Sequence, residues 1–178
     1  MVLHQPTLTT ERLILRPFRL SDAPLVMEYC GDRAVYEPTL NIPHPYVEGM
    51  AEKWIATHAS DFYDGRGVTL AMTLKGDDSI IGAIGLMASK EHNRAEMGYW
   101  VAVPYWGNGY CSEAAVALIA YGFDTLDYHK ITAHHMVENP ASGRVMEKAG
   151  MTFEAELRDH CQKDGRYHTV RIYSLLRE

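Results

Sequence analysis

The chain is predicted to be a mixed α+β domain, and three observations lead to this class. Short segments in which polar and apolar residues alternate are typical of half-buried strands, and they recur along the chain. Segments with apolar residues at helical spacing lie among them, without the regular strand and helix alternation of a parallel sheet. A length of 178 residues, 47% of them hydrophobic, can bury one substantial core. We therefore expect a single domain over residues 1–178.

The N-terminal part is predicted to form one strand and two helices. Residues 12–16 alternate polar and apolar side chains, which predicts a short strand. A Ser-Asp pair can cap a helix over residues 21–30, and Gly31 can end that helix in the left-handed conformation. After a proline-rich loop, apolar residues recur at helical spacing over residues 47–62 and predict a second, amphipathic helix.

The rest of the chain is predicted to form six strands and two helices. The strands are the apolar or alternating segments 68–74, 80–88, about 95–103 and 130–137, and a closing hairpin that turns at Asp164-Gly165. The helices cover residues 112–126 and 139–150, and Asn139 can cap the second, with a proline at its first position. The order is strand, two helices, three strands, helix, strand, helix, two strands, which makes about seven strands and four helices.

Charge and cysteine content exclude several classes of partner. The formal net charge is -6, from 17 Lys and Arg against 23 Asp and Glu, so we expect no direct contact with nucleic acid. An acidic surface would favour a cationic acceptor such as an amine, although charge that only keeps the protein in solution is the alternative. The three cysteines are widely spaced and predict reduced thiols. The longest apolar run, 114–120, is far too short for a membrane span, and we expect a cytoplasmic protein without a membrane partner.

Neither a metal site nor a hydrolase triad is expected. His134 and His135 are neighbours on a predicted strand, so their rings point to opposite faces and cannot hold one metal ion together. We expect one ring to be packed and the other to be at the surface. No G-x-S-x-G segment frames a nucleophilic serine.

A glycine-bearing turn before a predicted helix is the most informative local pattern. Gly107-Asn108-Gly109 stands between the strand that ends near residue 103 and the helix that begins near Ser112. The free N–H groups and the macrodipole at a helix start favour a phosphate or pyrophosphate, and glycine lets the backbone approach it closely. The segment has neither the lysine of a P-loop nor the third glycine of a Rossmann fingerprint. Taken alone, the pattern leaves a plain tight turn open.

The segment with this turn, AEMGYWVAVPYWGNGYCSEA, resembles the GNAT acetyltransferase superfamily, as does NPASGRVMEKAGM further along the chain. More narrowly, the chain resembles the ribosomal-protein N-acetyltransferase (RimJ/RimL-type) branch, to which TERLILRPFRLSDA and IPHPYVEGMAEKWI are also similar. The resemblance thus extends over nearly the whole chain. It implies a GNAT-type, mostly antiparallel central sheet flanked by helices, acetyl-CoA as cofactor with CoA as product, and direct acetyl transfer to an amine.

The resemblance also implies which residues hold the cofactor. The backbone of Val101 and Val103 would lie along the pantetheine arm, and Asn139 would bond the pantetheine amides. The pyrophosphate would be held by the turn, namely by Trp106, Gly107, Asn108, Gly109, Tyr110, Cys111 and Ser112. Cys111 is bulkier than the small residue common at its place. We expect it to pack rather than to act as a nucleophile, because transfer in the family is direct.

Direct transfer needs a neutral amine, a stabilised thioester oxygen and a proton for the departing thiolate. Glu96 matches a strand glutamate that acts as base in several members of the family, and an ion pair with Arg94 or a solvated position is the alternative. A backbone N–H near Val101, where the family carries a bulge, would meet the oxygen. Many relatives have a tyrosine that protonates the departing thiolate at the place where this chain has Met146. The expected proton donor is therefore Ser142, which could also bond the cofactor sulfur, and an ordinary place in the first helical turn is its alternative.

The acceptor is expected to be a primary amine, in the first place the N-terminal α-amine of a protein or peptide. A small amine, such as a polyamine or an antibiotic, is the alternative acceptor, and a non-catalytic CoA-binding module is a rival of another class. By analogy, the acceptor site would be lined by Tyr36, Glu37, Trp54, Tyr99 and Tyr167. The sequence leaves a monomer and a homodimer equally open.

Overall fold

A computed structural model describes residues 4–178, which build one eight-stranded sheet and five helices. The strands are β1 (Leu8–Thr9), β2 (Leu13–Pro17), β3 (Gly67–Leu74), β4 (Ile80–Ser89), β5 (Arg94–Val101), β6 (Lys130–Met136), β7 (Thr152–Lys163) and β8 (Arg166–Leu176). The helices are α1 (Ala23–Gly31), α2 (Arg33–Tyr36), α3 (Met50–Tyr63), α4 (Tyr110–Asp124) and α5 (Pro140–Lys148). The strand order is β1-β2-β3-β4-β5-β6-β8-β7, and every neighbouring pair is antiparallel except β5 and β6.

Helices cover both faces of the sheet and create two hydrophobic cores. On one face α4 and α5 pack against the sheet through residues such as Leu118 and Met146, which are almost fully buried. Gly122 lets α4 approach closely, because a Cβ there would come within 2.9 Å of Ile131 and Leu86 side chains. On the other face α1 and α3 pack through Val26 and Ile55. The sheet is therefore apolar on both faces, as its near-continuous apolar strands require.

The sheet opens where its two parallel strands diverge. Pairing between β5 and β6 covers only residues 94–96 with 130–132, although β5 runs on to Val101. The N–H of Ala102 bonds Ile81 on β4, so the backbone of Val101, which points the opposite way, faces the opening. By the same alternation the backbone of Tyr99 also faces it. The divergence thus leaves unpaired main-chain groups on the β6 side of β5.

The predicted fold class is confirmed, and the differences are local. The two-residue β1 and the four-residue α2 were not predicted, because segments so short show no periodicity. Gly31 does not adopt a positive φ; the helix simply ends on it and the chain continues extended at Asp32. Asp22 does not cap α1 with its side chain, because its carboxylate accepts two hydrogen bonds from the buried Arg16 guanidinium, at 2.8 and 3.0 Å.

None of the helices within residues 4–178 is both long enough and apolar enough to cross a membrane.

Candidate active site

The turn before α4 presents a row of unpaired amides. Gly107 and Gly109 have φ angles of 78° and 80°, the left-handed region that glycine adopts without strain. The first helical hydrogen bond runs from Glu113 N–H to the carbonyl of Gly109, at 3.1 Å. The N–H groups of residues 107–112 donate to no acceptor within the part of the chain that the structure describes. Six successive donors at the start of a fifteen-residue helix form a site for an anion.

Arg12 holds this turn from the side of β2. Its Nε donates to Glu113 Oε2 at 2.7 Å, and its Nη1 donates to the carbonyl of Asn108 at 3.0 Å. The guanidinium also lies over the Tyr110 ring, 4.8 Å from the ring centroid. Thr10 Oγ1 fixes the same carboxylate at 2.5 Å. The turn is therefore ordered by side chains before any ligand binds, which lowers the entropic cost of binding.

One cavity of about 1050 Å³ extends from this turn through the β5–β6 opening to the loop after α2. Ten of the residues expected to bind or act line it: Glu96, Val101, Trp106, Gly107, Gly109, Tyr110, Cys111, Ser112, Asn139 and Ser142. The other two expected residues, Val103 and Asn108, do not line it. The Val103 carbonyl accepts the N–H of Trp106, and the Asn108 amide bonds the carbonyls of Tyr105 and Trp106 instead.

The expected bulge near Val101 is not present in the described pairing of β5. Its register against β4 runs without interruption from Ser89 opposite Arg94 to Gly82 opposite Val101. Outward-facing amides arise instead from ordinary alternation beside the β5–β6 opening, and Tyr99 supplies one of them. The carbonyl of Val101 is already engaged, since it accepts a 2.6 Å hydrogen bond from Trp106 Nε1.

Ser142 and Tyr99 meet at the start of α5. The Tyr99 hydroxyl lies 2.8 Å from Ser142 Oγ and 3.1 Å from the Ser142 carbonyl oxygen. Burial raises the pKa of Tyr99, so the phenol stays protonated at neutral pH. Asn139 caps the helix as predicted, because its Oδ1 accepts the Ser142 N–H at 3.3 Å. Its Nδ2 donates to the Pro38 carbonyl and ties the loop after α2 to the same place.

Cys111 lies at the helix start with its thiol protonated. Burial raises the pKa of Cys111, the opposite of what a nucleophilic thiolate needs. Met146 of α5 is buried in the core between the helix and the sheet. Cys111 is therefore disfavoured as a thiolate nucleophile, and Met146 carries no ionisable group.

Glu96 contacts a histidine rather than Arg94. His134 Nδ1 lies 3.1 Å from Glu96 Oε1, and both side chains are partly exposed to the cavity. The contact lowers the pKa of Glu96 and raises the pKa of His134. His135, the neighbour on the opposite face, is buried and bonds the Met136 carbonyl at 2.7 Å. One histidine is packed, as expected, but the other joins the site, which local sequence reasoning missed.

The end of the cavity away from the glycine turn is lined by the loop after α2. Of the residues expected at the acceptor site, Glu37, Trp54 and Tyr99 line this cavity, whereas Tyr36 and Tyr167 do not. Tyr36 is buried and donates to Asp164 at 2.6 Å, and Tyr167 is largely exposed. Lys163, at the tip of the β7–β8 hairpin, donates to the carbonyls of residues 36, 37 and 39. These hydrogen bonds tie the loop after α2 to the hairpin.

Comparisons with known proteins show which family this chain belongs to. The family model described as "Acetyltransferase (GNAT) domain" matches residues 12–152. A protein of Bacillus licheniformis named uncharacterized N-acetyltransferase p20 is 34% identical over 173 residues, which are 96% of each chain. The ribosomal-protein-serine acetyltransferase of Escherichia coli is 24% identical over 152 residues, 85% of this chain and 84% of that one. A crystal structure of a GNAT-family acetyltransferase from Bacillus anthracis superposes with a TM-score of 0.86 at 26% identity, over 96% of this chain and 98% of that one.

An eight-stranded sheet that opens beside an anion-binding helix start is the architecture of an acyltransferase of this type. The chain belongs to the GNAT acetyltransferase family and is an N-acetyltransferase, as its sequence predicted.

Proposed function

We propose that this N-acetyltransferase transfers the acetyl group of acetyl-CoA to the N-terminal α-amine of a protein or peptide, and that the chain is one catalytic domain. The residues fit the cofactor. The six unpaired amides of residues 107–112 suit its pyrophosphate, and the unpaired backbone of Tyr99 and the N–H of Val101 suit the amides of its pantetheine arm. When bound, acetyl-CoA supplies an activated thioester, so the protein needs no covalent intermediate of its own.

The side chains in the cavity supply the remaining requirements. We assign the role of general base to Glu96 together with the histidine it contacts. We assign to Ser142 the role of donating a proton to the departing sulfur. The Ser142 hydroxyl can pass on its own proton while the Tyr99 hydroxyl, 2.8 Å away, donates to its oxygen. An outward-facing N–H of β5 would meet the thioester oxygen.

The charge of the cavity supports an acceptor with a single positive charge. Within residues 4–178 only two carboxylates line it, Glu37 and Glu96, and Glu37 lies 3.3 Å from Arg33. Lys53, Arg144 and Lys148 also line it. A polyamine carries several cationic groups and would need more unpaired carboxylates than these. A terminal α-amine needs one, and the apolar walls around Trp54 and Ile42 suit the first side chain of a peptide.

Mass spectrometry after incubation with acetyl-CoA tests the proposal. The substrates are a peptide with a free N-terminus and an internal lysine, the same peptide with a formylated N-terminus, and spermidine. We expect acetylation of the first peptide at its α-amine, with release of CoA, and none of the formylated one. Preferential acetylation of spermidine would overturn the proposed acceptor.

A further inference from the structure

We propose that His134 is the general base of the reaction: its Nε2 takes the proton from the acceptor ammonium, and Glu96 is the positioning residue that orients the neutral imidazole and stabilises the imidazolium that forms. This inference rests on the proposed function and deepens it. It replaces a single carboxylate base by a histidine–carboxylate pair, and it gives a chemical reason for an α-amine as the acceptor.

The geometry of the pair carries the inference. Glu96 is the last residue of β5 that pairs with β6, His134 lies just past the last residue of β6 that pairs with β5, and the two side chains meet where the strands begin to diverge. Nδ1 of the imidazole contacts Glu96 Oε1 at 3.1 Å. Nε2 makes no hydrogen bond to any residue from 4 to 178, and the ring lines the cavity. A ring held at Nδ1 with its other nitrogen open to the substrate is the arrangement of a general base oriented by a carboxylate.

The proton balance is complete without another reactant. His134 Nε2 accepts one proton from R–NH₃⁺ and becomes an imidazolium beside the Glu96 carboxylate. The neutral amine nitrogen then forms the C–N bond to the acetyl carbon while the C–S bond breaks. The nitrogen then loses a second proton to water, the sulfur takes the proton of the Ser142 hydroxyl, and Ser142 regains a proton from water. The imidazolium finally releases its proton to water, so R–NH₃⁺ and acetyl-CoA give the acetamide, CoA and one proton.

The contact between Glu96 and His134 shifts the pKa values of the two groups in opposite directions. The contact lowers the pKa of Glu96, which makes that carboxylate a weaker base. The same contact raises the pKa of His134, which makes the imidazole a stronger base than an isolated one. A terminal α-amine has a pKa of about 8, whereas alkyl amines such as those of lysine lie near about 10. Proton transfer to an imidazole is therefore much less uphill for an α-amine, which favours the acceptor proposed above.

Few other charges bear on the pair. Arg94 on β5 acts on Glu96 from a distance. On β8 the residue opposite His134 is the apolar Ile172, and Lys130 on β6 is held by Glu154 of β7 at 2.6 Å. The other charged groups that line the cavity are Glu37, Lys53, Arg144 and Lys148. Within the described residues Glu96 is the one carboxylate in contact with the ring.

The test uses His134→Gln, Glu96→Gln and a matched control. His168→Gln disrupts a second histidine–glutamate pair, with Glu138 at 3.3 Å, that does not line the cavity. The readouts are kcat against pH at saturating substrates, CoA affinity by calorimetry, and the imidazole NMR titration of His134 in the protein without CoA. His134→Gln should lower kcat by roughly 10² to 10³ with CoA affinity unchanged, and His168→Gln should change neither.

Glu96→Gln gives the sharper result. Loss of the carboxylate should move the NMR titration of His134 to lower pH, and the acid limb of kcat should move in the same direction, because the imidazole then stays unprotonated to lower pH. If the titration moves and the limb does not, the inference is wrong, even where His134→Gln fails to fold. It is also wrong if His134→Gln keeps kcat within about threefold. If the unmodified protein acetylates another amine, the proposed acceptor fails, and the same variants test the pair with that amine.

Discussion

At the scale of single residues, the hydroxyl pair of Ser142 and Tyr99 gives a direct prediction. Ser142→Ala removes the group assigned to protonate the sulfur, and we expect kcat to fall by about 10² while CoA affinity stays within a few-fold. Tyr99→Phe removes only the 2.8 Å partner and should cost less, on the order of tenfold. Steady-state kinetics with calorimetry for CoA separate the two effects. A normal kcat across the pH range in Ser142→Ala would remove the serine from the reaction.

Gly109 provides a second prediction at this scale. Its φ of 80° costs a residue with a Cβ about 1–2 kcal/mol, although the nearest atom to that Cβ, Arg12 Nη2, is 3.6 Å away. Gly109→Ala should relieve this strain by shifting the amides and should weaken CoA binding by on the order of tenfold. Gly76→Ala is the control, since its φ is 88° in the open turn between β3 and β4. Equal CoA affinity in both variants would contradict the role of the turn.

At the scale of elements, α3 carries a titratable group that links its packing to pH. His58 is buried between Phe18 and Trp54, and neither ring nitrogen has a hydrogen-bond partner within the described residues. Burial lowers the pKa of His58 to about 4 from 6.5. The unfolded chain therefore takes up a proton first as the pH falls below 6.5, and the protein loses stability down to about pH 4. The loss is at most on the order of 3 kcal/mol.

His58→Phe should remove this contribution. We expect the free energy of unfolding, measured by urea denaturation, to fall less between pH 6.5 and 4 in the variant than in the unmodified protein. Other groups titrate in the same range, so the difference between the two proteins is the quantity to compare. Replacement of an exposed histidine, His160→Gln, should leave the slope as it is. An unchanged slope in His58→Phe would show that the ring does not titrate in this way.

At the scale of the whole molecule, the diverging strands predict a pattern of amide exchange. The N–H groups of Gly98 and Trp100 lie on the β4 side of β5, where the register is continuous, and should exchange slowly. Those of Tyr99 and Val101 face the opening and should exchange much faster in the protein without CoA. Addition of CoA should slow the second pair. Residue-resolved NMR exchange measures this, and equal protection of all four amides would mean that the sheet is closed.

The fold followed from local patterns because its elements are long enough to show periodicity. The β3–β4 hairpin, α3 and α4 were predicted within a few residues of their bounds, and the closing hairpin was predicted by its turn at Asp164-Gly165. The glycine-bearing turn before α4 was also visible in the sequence, but its glycines alone left a plain tight turn open, and the proposal of a pyrophosphate site there came from the resemblance to the GNAT superfamily. The partners of Glu96 were not visible in the sequence, since Glu96 and His134 meet only through the parallel pairing of two strands separated by a whole helix. The hydrogen bond from Trp106 to the Val101 carbonyl could not be predicted either, because it depends on the side-chain rotamer of Trp106.

The Trp106 indole has an optical consequence. It is the most exposed of the three tryptophans, and it lines the cavity while it donates to a carbonyl that faces the expected path of the cofactor. A bound cofactor would exclude solvent from the ring and compete for that carbonyl. The intrinsic fluorescence of the protein should therefore shift to shorter wavelength as CoA is added, and Trp106→Phe should abolish the shift. The enzyme would then carry its own reporter of cofactor occupancy.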